Sequence, residues 1–258
     1  QPMTRRRSSR GDGRLLRRAT HSRIAAVMGA YGWRSMFLPV FTLAMPDPAL
    51  HTLRVSRTAR YAQYGDPEAP DWWVVLHGYG QQASDFIQPF AEGGVDGRCI
   101  VAPEALSRFY TDGMASHQEV GASWMTRVAR TEEIGDYVRY LDALVQHLRP
   151  DGTAPRLHVL GFSQGAATAS RWAVLGSTPV ERLTLWAGDL AHDLELDVHA
   201  DALRAMDLTI VLGRDDPFIS DDRLQALRDR LDAYAIPATV HRFDGGHRLH
   251  RATLRRLV

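Results

Sequence analysis

The chain has 258 residues, 45% of them hydrophobic and 24% charged, with a formal net charge of +1. That length suits one large domain with a sizeable buried core. The near-neutral balance excludes a strongly basic nucleic-acid-binding body, and the single cysteine, Cys99, excludes an intrachain disulfide and a cysteine-built metal site.

Taken in chain order, residues 1–44 hold nine arginines against one acid, Asp12, while the rest of the chain holds 22 basic and 29 acidic side chains. The Arg- and Ser-rich part of this segment has too little apolar surface to offset the entropy of ordering it. It is expected to be a disordered or non-native extension, with residues 45–258 forming the domain. Three readings stay open for it: a targeting segment, a basic arm, and an over-extended reading frame whose natural start is Met45. The lone cysteine fits a reducing, cytoplasmic location, and the basic segment leaves export open. No apolar run reaches the length of a membrane-spanning helix.

From residue 52 strand and helix patterns alternate. Residues 52–65 alternate polar and apolar, which predicts an antiparallel pair of strands. DWWVVLHG (71–78) is a continuous apolar run ending in glycine, the pattern of a strand buried on both faces. Similar short runs follow at 98–105, 156–163, 182–188, 207–213 and 238–244. The stretch 106–130 is irregular and is expected to be a loop over a site. Residues 131–149 place Ile134, Val138, Leu141, Leu144, Val145 and Leu148 on one helical face, with Thr131 as the expected cap. Helical patterns recur at 164–176, 221–235 and 250–257. This alternation predicts an α/β fold: a mostly parallel central sheet with helices on both faces.

Gly161-Phe162-Ser163-Gln164-Gly165 carries the first chemical signal. A G-x-S-x-G match alone is weak, and a plain Gly-rich turn explains it equally simply. Here a strand pattern enters it and a helix pattern leaves it. That is the arrangement that thrusts a serine up at the carboxyl edge of a sheet. A serine hydroxyl is a poor nucleophile and needs a base, itself oriented by an acid. Downstream, a buried strand ends at Gly213 with Asp215 and Asp216 beyond it, and another leads into Gly245-Gly246-His247. The order serine, acid, histidine is the one such folds use. Asp216 is favoured over Asp215 and Asp189, and His247 over His250 and His241. The backbone N–H groups of Gln164 and of Tyr79, in the His77-Gly78-Tyr79-Gly80 loop, are the candidate oxyanion donors. No P-loop, H-E-x-x-H helix or G-x-G-x-x-G fingerprint follows a strand.

LHGYGQQASDF, PEALSRFY, SWMTR, GFSQG, GRDDPFIS and FDGGH, in this order, resemble the phospholipase/carboxylesterase family of small bacterial serine esterases, relatives of the acyl-protein thioesterases. The resemblance covers about residues 52–258. It implies an α/β-hydrolase fold, the triad Ser163, Asp216 and His247, and an oxyanion hole at Tyr79 and Gln164. It further implies hydrolysis of short- to medium-chain esters, lysophospholipids or acyl thioesters, with no metal or cofactor. Family members often carry Trp-Phe-Asp where this chain has Trp124-Met125-Thr126, so Trp124 and Met125 are candidate substrate contacts. The expected partner is a small-molecule ester or thioester, with no nucleic acid and no stable membrane span. The oligomeric state stays open, a homodimer included. A non-catalytic receptor on the same fold is the remaining alternative.

Overall fold

A computed structural model of the chain describes residues 48–92, 97–113, 116–149 and 155–258. The chain divides into two units, Gln1–Arg54 and Val55–Val258, and the second holds every element named below. Residues 1–44 and Met45 lie outside the described residues.

The apolar run at 71–78 behaves as its composition dictates. It forms strand β2 (Asp71–Leu76). Successive side chains point to opposite sides, so Trp72, Val74 and Leu76 enter one apolar layer and Trp73 and Val75 the other. The other buried runs do the same as β3 (Arg98–Pro103), β6 (Arg156–Phe162), β7 (Arg182–Trp186), β8 (Asp207–Gly213) and β9 (Thr239–Phe243). With β1 (Tyr61–Gly65) they make a seven-stranded sheet in the order β1-β3-β2-β6-β7-β8-β9. All neighbours are parallel except β1, which runs antiparallel to β3.

Helices cover both faces. On one side lie α3 (Arg130–Leu148), α4 (Gln164–Leu175), α5 (Leu196–Arg204) and α6 (Asp221–Asp232). They bury Leu141, Ala169, Leu203 and Leu227, among others, against the sheet. On the other side α1 (Ala83–Phe86), α2 (Gln88–Ala91) and α7 (Arg251–Leu257) bury Phe86, Phe90 and Leu254. Fully burying such a side chain stabilises the fold by about 1.5–3 kcal/mol. Among the described residues no helix is long and apolar enough to cross a membrane.

Three local expectations need correcting. Residues 52–65 yield one strand rather than a pair, because β1 finds its partner in β3 and residues 48–59 stay mostly exposed without a ladder. Within the expected loop 106–130, β4 (Ser107–Tyr110) and β5 (Val120–Ser123) form a hairpin. Helix α3 begins one residue early, at Arg130, after Ala129 takes the left-handed conformation (φ 50°), so Thr131 lies inside the helix and does not cap it.

The strand order places the site. Chain connections leave β2 toward β3 on one side and β6 toward β7 on the other. The crevice between the carboxyl ends of β2 and β6 is therefore a topological switch point, where α/β sheets bind ligands. The loop at 77–80 leaves β2 there and Ser163 leaves β6 beside it.

Candidate active site

Ser163 sits between the last residue of β6 and the first of α4, at φ 54° and ψ −115°. Such backbone is strained for a residue with a side chain and persists only where its surroundings enforce it. The two glycines of the motif explain the enforcement. A Cβ on Gly161 would lie 2.1 Å from the Gly165 carbonyl oxygen, and one on Gly165 would lie 2.2 Å from the Leu76 carbonyl oxygen. The chain therefore turns tightly enough to raise the serine only if both positions lack a side chain. The Ser163 N–H donates to the Trp186 carbonyl at 2.9 Å, which ties the turn to β7. Helix α4 starts directly beyond, with its positive dipole end at the serine.

The candidate acid and base, Asp216 and His247, lie in the loops after β8 and β9. His247 Nδ1 donates to Asp216 Oδ2 at 2.9 Å. The Asp216 carboxylate is fully buried and the His247 side chain is 19% exposed. The other Asp216 oxygen accepts the N–H groups of Phe218 (2.9 Å) and Ile219 (3.3 Å). Two backbone donors and the imidazole thus orient this carboxylate, as charge-assisted bonds do well. The imidazole lies between two aromatic rings, Phe162 at 5.0 Å and Phe218 at 4.8 Å between centroids. Phe162, the residue before Ser163, is thereby in contact with the His247 ring. No hydrogen bond joins Ser163 Oγ to His247 in this arrangement; such catalytic bonds are commonly long before substrate binds.

The rival residues are engaged elsewhere. Asp215 is exposed. Asp189 pairs with Arg223 at 3.2 Å. His250 precedes α7, with Nδ1 2.9 Å from Thr253 Oγ1 and its ring stacked on Phe243. His241 lies within β9.

The loop after β2 is rigidly held. The Gly78 N–H donates to Gln81 Oε1 at 2.7 Å and the Gly80 N–H to the Ala122 carbonyl at 2.9 Å. His77 is completely buried; its Nε2 accepts the Ala105 N–H at 3.1 Å, and Nδ1 lies 2.7 Å from the Gly78 carbonyl. That pattern requires the neutral ring with its proton on Nδ1. Burial accordingly lowers the His77 pKa, against the raising influence of the Gly78 carbonyl and Glu104. The backbone N–H groups of Tyr79 and Gln164 have no acceptor among the described residues.

Trp124 and Met125 follow β5. Trp124 is only 3% exposed, and Met125 is half-buried. Tyr79, its ring tilted against Phe109 at 5.1 Å between centroids, and Phe218, against His247, are exposed. Sequence reasoning missed Phe218, although an apolar residue in a polar turn two positions after Asp216 was a usable signal. It also missed the side chain of Gln164, which no local pattern reveals.

No curated protein sequence matches the chain. Solved structures share its fold. Esterase PE8 superposes with a TM-score of 0.59 at 20% identity over 78% of this chain and 100% of its own. The acyl-protein thioesterase 2 of Zea mays gives 0.57 at 18% identity, covering 78% of this chain and 96% of its own. The carboxylesterase of Bacillus cereus gives 0.54 at 16%, covering 77% and 91%. These likenesses establish the α/β-hydrolase architecture and agree with the resemblance carried by the motifs. The profile of the serine hydrolase (FSH1) family matches residues 73–253. With a match over most of its length, the chain belongs to the serine hydrolase (FSH1) family.

Proposed function

We propose that this serine hydrolase cleaves carboxylic esters of short to medium acyl chain, lysophospholipids included, through an acyl-enzyme on Ser163. The observation that carries the reading is the buried Asp216 carboxylate bonded at 2.9 Å to His247, one ring contact from a strained serine turn.

In the proposed reaction His247 Nε2 takes the Ser163 hydroxyl proton as Oγ bonds to the acyl carbon. The carbonyl electron pair moves onto oxygen, where the Tyr79 and Gln164 N–H groups receive it. Asp216 holds the proton of His247 on Nδ1 and stabilises the imidazolium. The oxyanion collapses, the ester C–O bond breaks, and the alcohol leaves with the proton from His247. Water, deprotonated by His247, then attacks the acyl-enzyme, and the carboxylic acid departs as Ser163 regains its proton. Only the chain's own groups and water take part. Half-buried Met125 and the exposed rings of Tyr79 and Phe218 offer apolar surface for the substrate, and Trp124 backs Met125 from the core.

A fluorophosphonate probe tests the assignment. It should label the wild-type chain and leave Ser163→Ala unlabelled, with ester turnover of the variant reduced at least about 10⁴-fold. Labelling of the folded variant, or its turnover at a near-native rate, rejects the assignment. A panel of p-nitrophenyl esters of graded length, run beside matched acyl thioesters, then defines the substrate. Preference for the thioesters would replace the ester reading with a thioesterase one.

A further inference from the structure

We propose that Trp124 and the Gln164 side chain form a brace that sets the spacing of the two oxyanion donors. The inference rests on the reading that the Tyr79 and Gln164 amides hold the oxyanion.

Those two donors belong to different elements, the loop after β2 and the first residue of α4. A hole built from two parts works only if their separation is held. The N–H groups must converge on one oxygen atom, within about 2.7–3.1 Å of its transition-state position. Trp124 joins the two parts through both of its N–H groups, beside the Gly80–Ala122 bond that ties the loop to β5. The buried indole Nε1–H of Trp124 donates to the His77 carbonyl at 2.8 Å, two residues before Tyr79 N–H. The backbone N–H of the same Trp124 donates to Gln164 Oε1 at 3.1 Å. Gln164 completes the clasp through Nε2, which donates to the Met125 carbonyl at 2.9 Å and to Ser123 Oγ at 3.1 Å. Ser123 Oγ in turn donates to the Met125 carbonyl at 3.0 Å.

Along the Trp124 route the links run in series: oxyanion loop, indole, Trp124 backbone, Gln164 amide, α4. Gln164 carries one donor on its backbone and fastens the other through its side chain. The ring of Trp124 also lies against that of His77, with centroids 5.2 Å apart. A neutral His77 is fastened at both ring nitrogens, so its peptide is the firm anchor to which the indole ties. Trp124 and Gln164 are thus positioning residues for the hole. Substitution of either should lower the rate by loosening the geometry while leaving Ser163 and His247 untouched.

Series linkage has a signature that plain core packing lacks. Cutting either link opens the same Trp124 route, so a second cut adds little to the first. The test uses Trp124→Phe, which removes the indole N–H and keeps an aromatic ring, and Gln164→Met, which removes the amide and keeps the length and the backbone donor. Both are made in the full chain, alone and together, and active sites are counted with the fluorophosphonate probe. Readouts are kcat and KM on a short p-nitrophenyl ester, the melting temperature, and inhibition by a trifluoromethyl ketone, whose hydrate-like adduct places an oxyanion on the serine. Each single variant should lose about 10- to 100-fold in kcat, as a displacement of about 1 Å does, with KM changed by less than about threefold. Ketone affinity should fall in step with kcat/KM. The double variant should stay within about threefold of the weaker single one.

An unchanged kcat in either folded variant overturns the brace. So do losses that multiply in the double variant, or ketone binding that stays at the wild-type value while turnover falls. Should Trp124→Phe fail to fold, Gln164→Met carries the same kcat, KM and ketone outcomes. Failure of the proposed Ser163 chemistry shows separately, because the wild-type chain would then resist the probe, and wild-type labelling without ketone inhibition would reject the oxyanion hole itself.

Discussion

The carboxylate of Asp216 is buried and bonded to the imidazole of His247 at 2.9 Å, whereas its sequence neighbour Asp215 faces solvent. One residue of register thus separates a carboxylate held against the imidazole from one in solvent. The Asp216→Asn variant keeps the shape but changes what the imidazole faces, favouring the wrong tautomer. In steady-state assays its kcat should fall by about 10⁴-fold. Asp215→Asn should stay within about twofold, as expected of a solvated carboxylate outside the site. Equal losses in the two would assign the acid elsewhere.

Two glycines should respond to alanine with opposite signs. At Gly165 the added Cβ would stand 2.2 Å from a backbone carbonyl that cannot yield. Urea unfolding of Gly165→Ala should show a loss of about 2–3 kcal/mol. At Gly135, inside α3, the nearest atom is the flexible tip of Arg139 at 3.1 Å. Gly135→Ala should gain about 0.5–1 kcal/mol from helix propensity.

Cys99 is completely buried on β3, and burial pushes its thiol up to about 11, with Asp66 adding to the effect. A thiolate-seeking disulfide reagent at pH 8 should therefore leave the native protein unmodified and titrate one thiol only after denaturation. Fast reaction of the native protein would mean that β3 opens readily.

Burial also keeps His77 and His158 below the ordinary histidine range, against the partners that favour their charged forms. On unfolding, both imidazoles can take up protons below a pH of about 6.5. The unfolded state then binds more protons than the native one, so stability falls as the pH drops through that window, and the contribution is complete above it. Urea titrations between pH 7.5 and 5 should show this decline, and His77→Gln should show a shallower slope whatever its absolute stability. Identical slopes would mean that His77 is not held neutral.

The buried runs, the G-x-S-x-G turn and the order serine, acid, histidine were legible in the chain because each is local. A strand buried on both faces must be apolar throughout, and a turn this tight must place glycine at 161 and 165. Weak local patterns were missed: the hairpin β4–β5 in the irregular stretch 106–130, and the helix α5. Residues 52–60 show the converse. Their alternation suits a strand, yet only 61–65 found a partner, since a strand exists by pairing.

The sequence by itself determined the α/β class, the G-x-S-x-G turn and the short lists from which a candidate acid and base could be drawn, because spacing and residue type constrain the chain over a few neighbours. Only the tertiary structure decided that Asp216 rather than Asp215 meets His247, that Phe162 and Phe218 flank the imidazole, and that Trp124 reaches both His77 and Gln164. Those contacts join residues 29 to 85 positions apart, and such distances are closed by sheet order and packing, which no local pattern encodes.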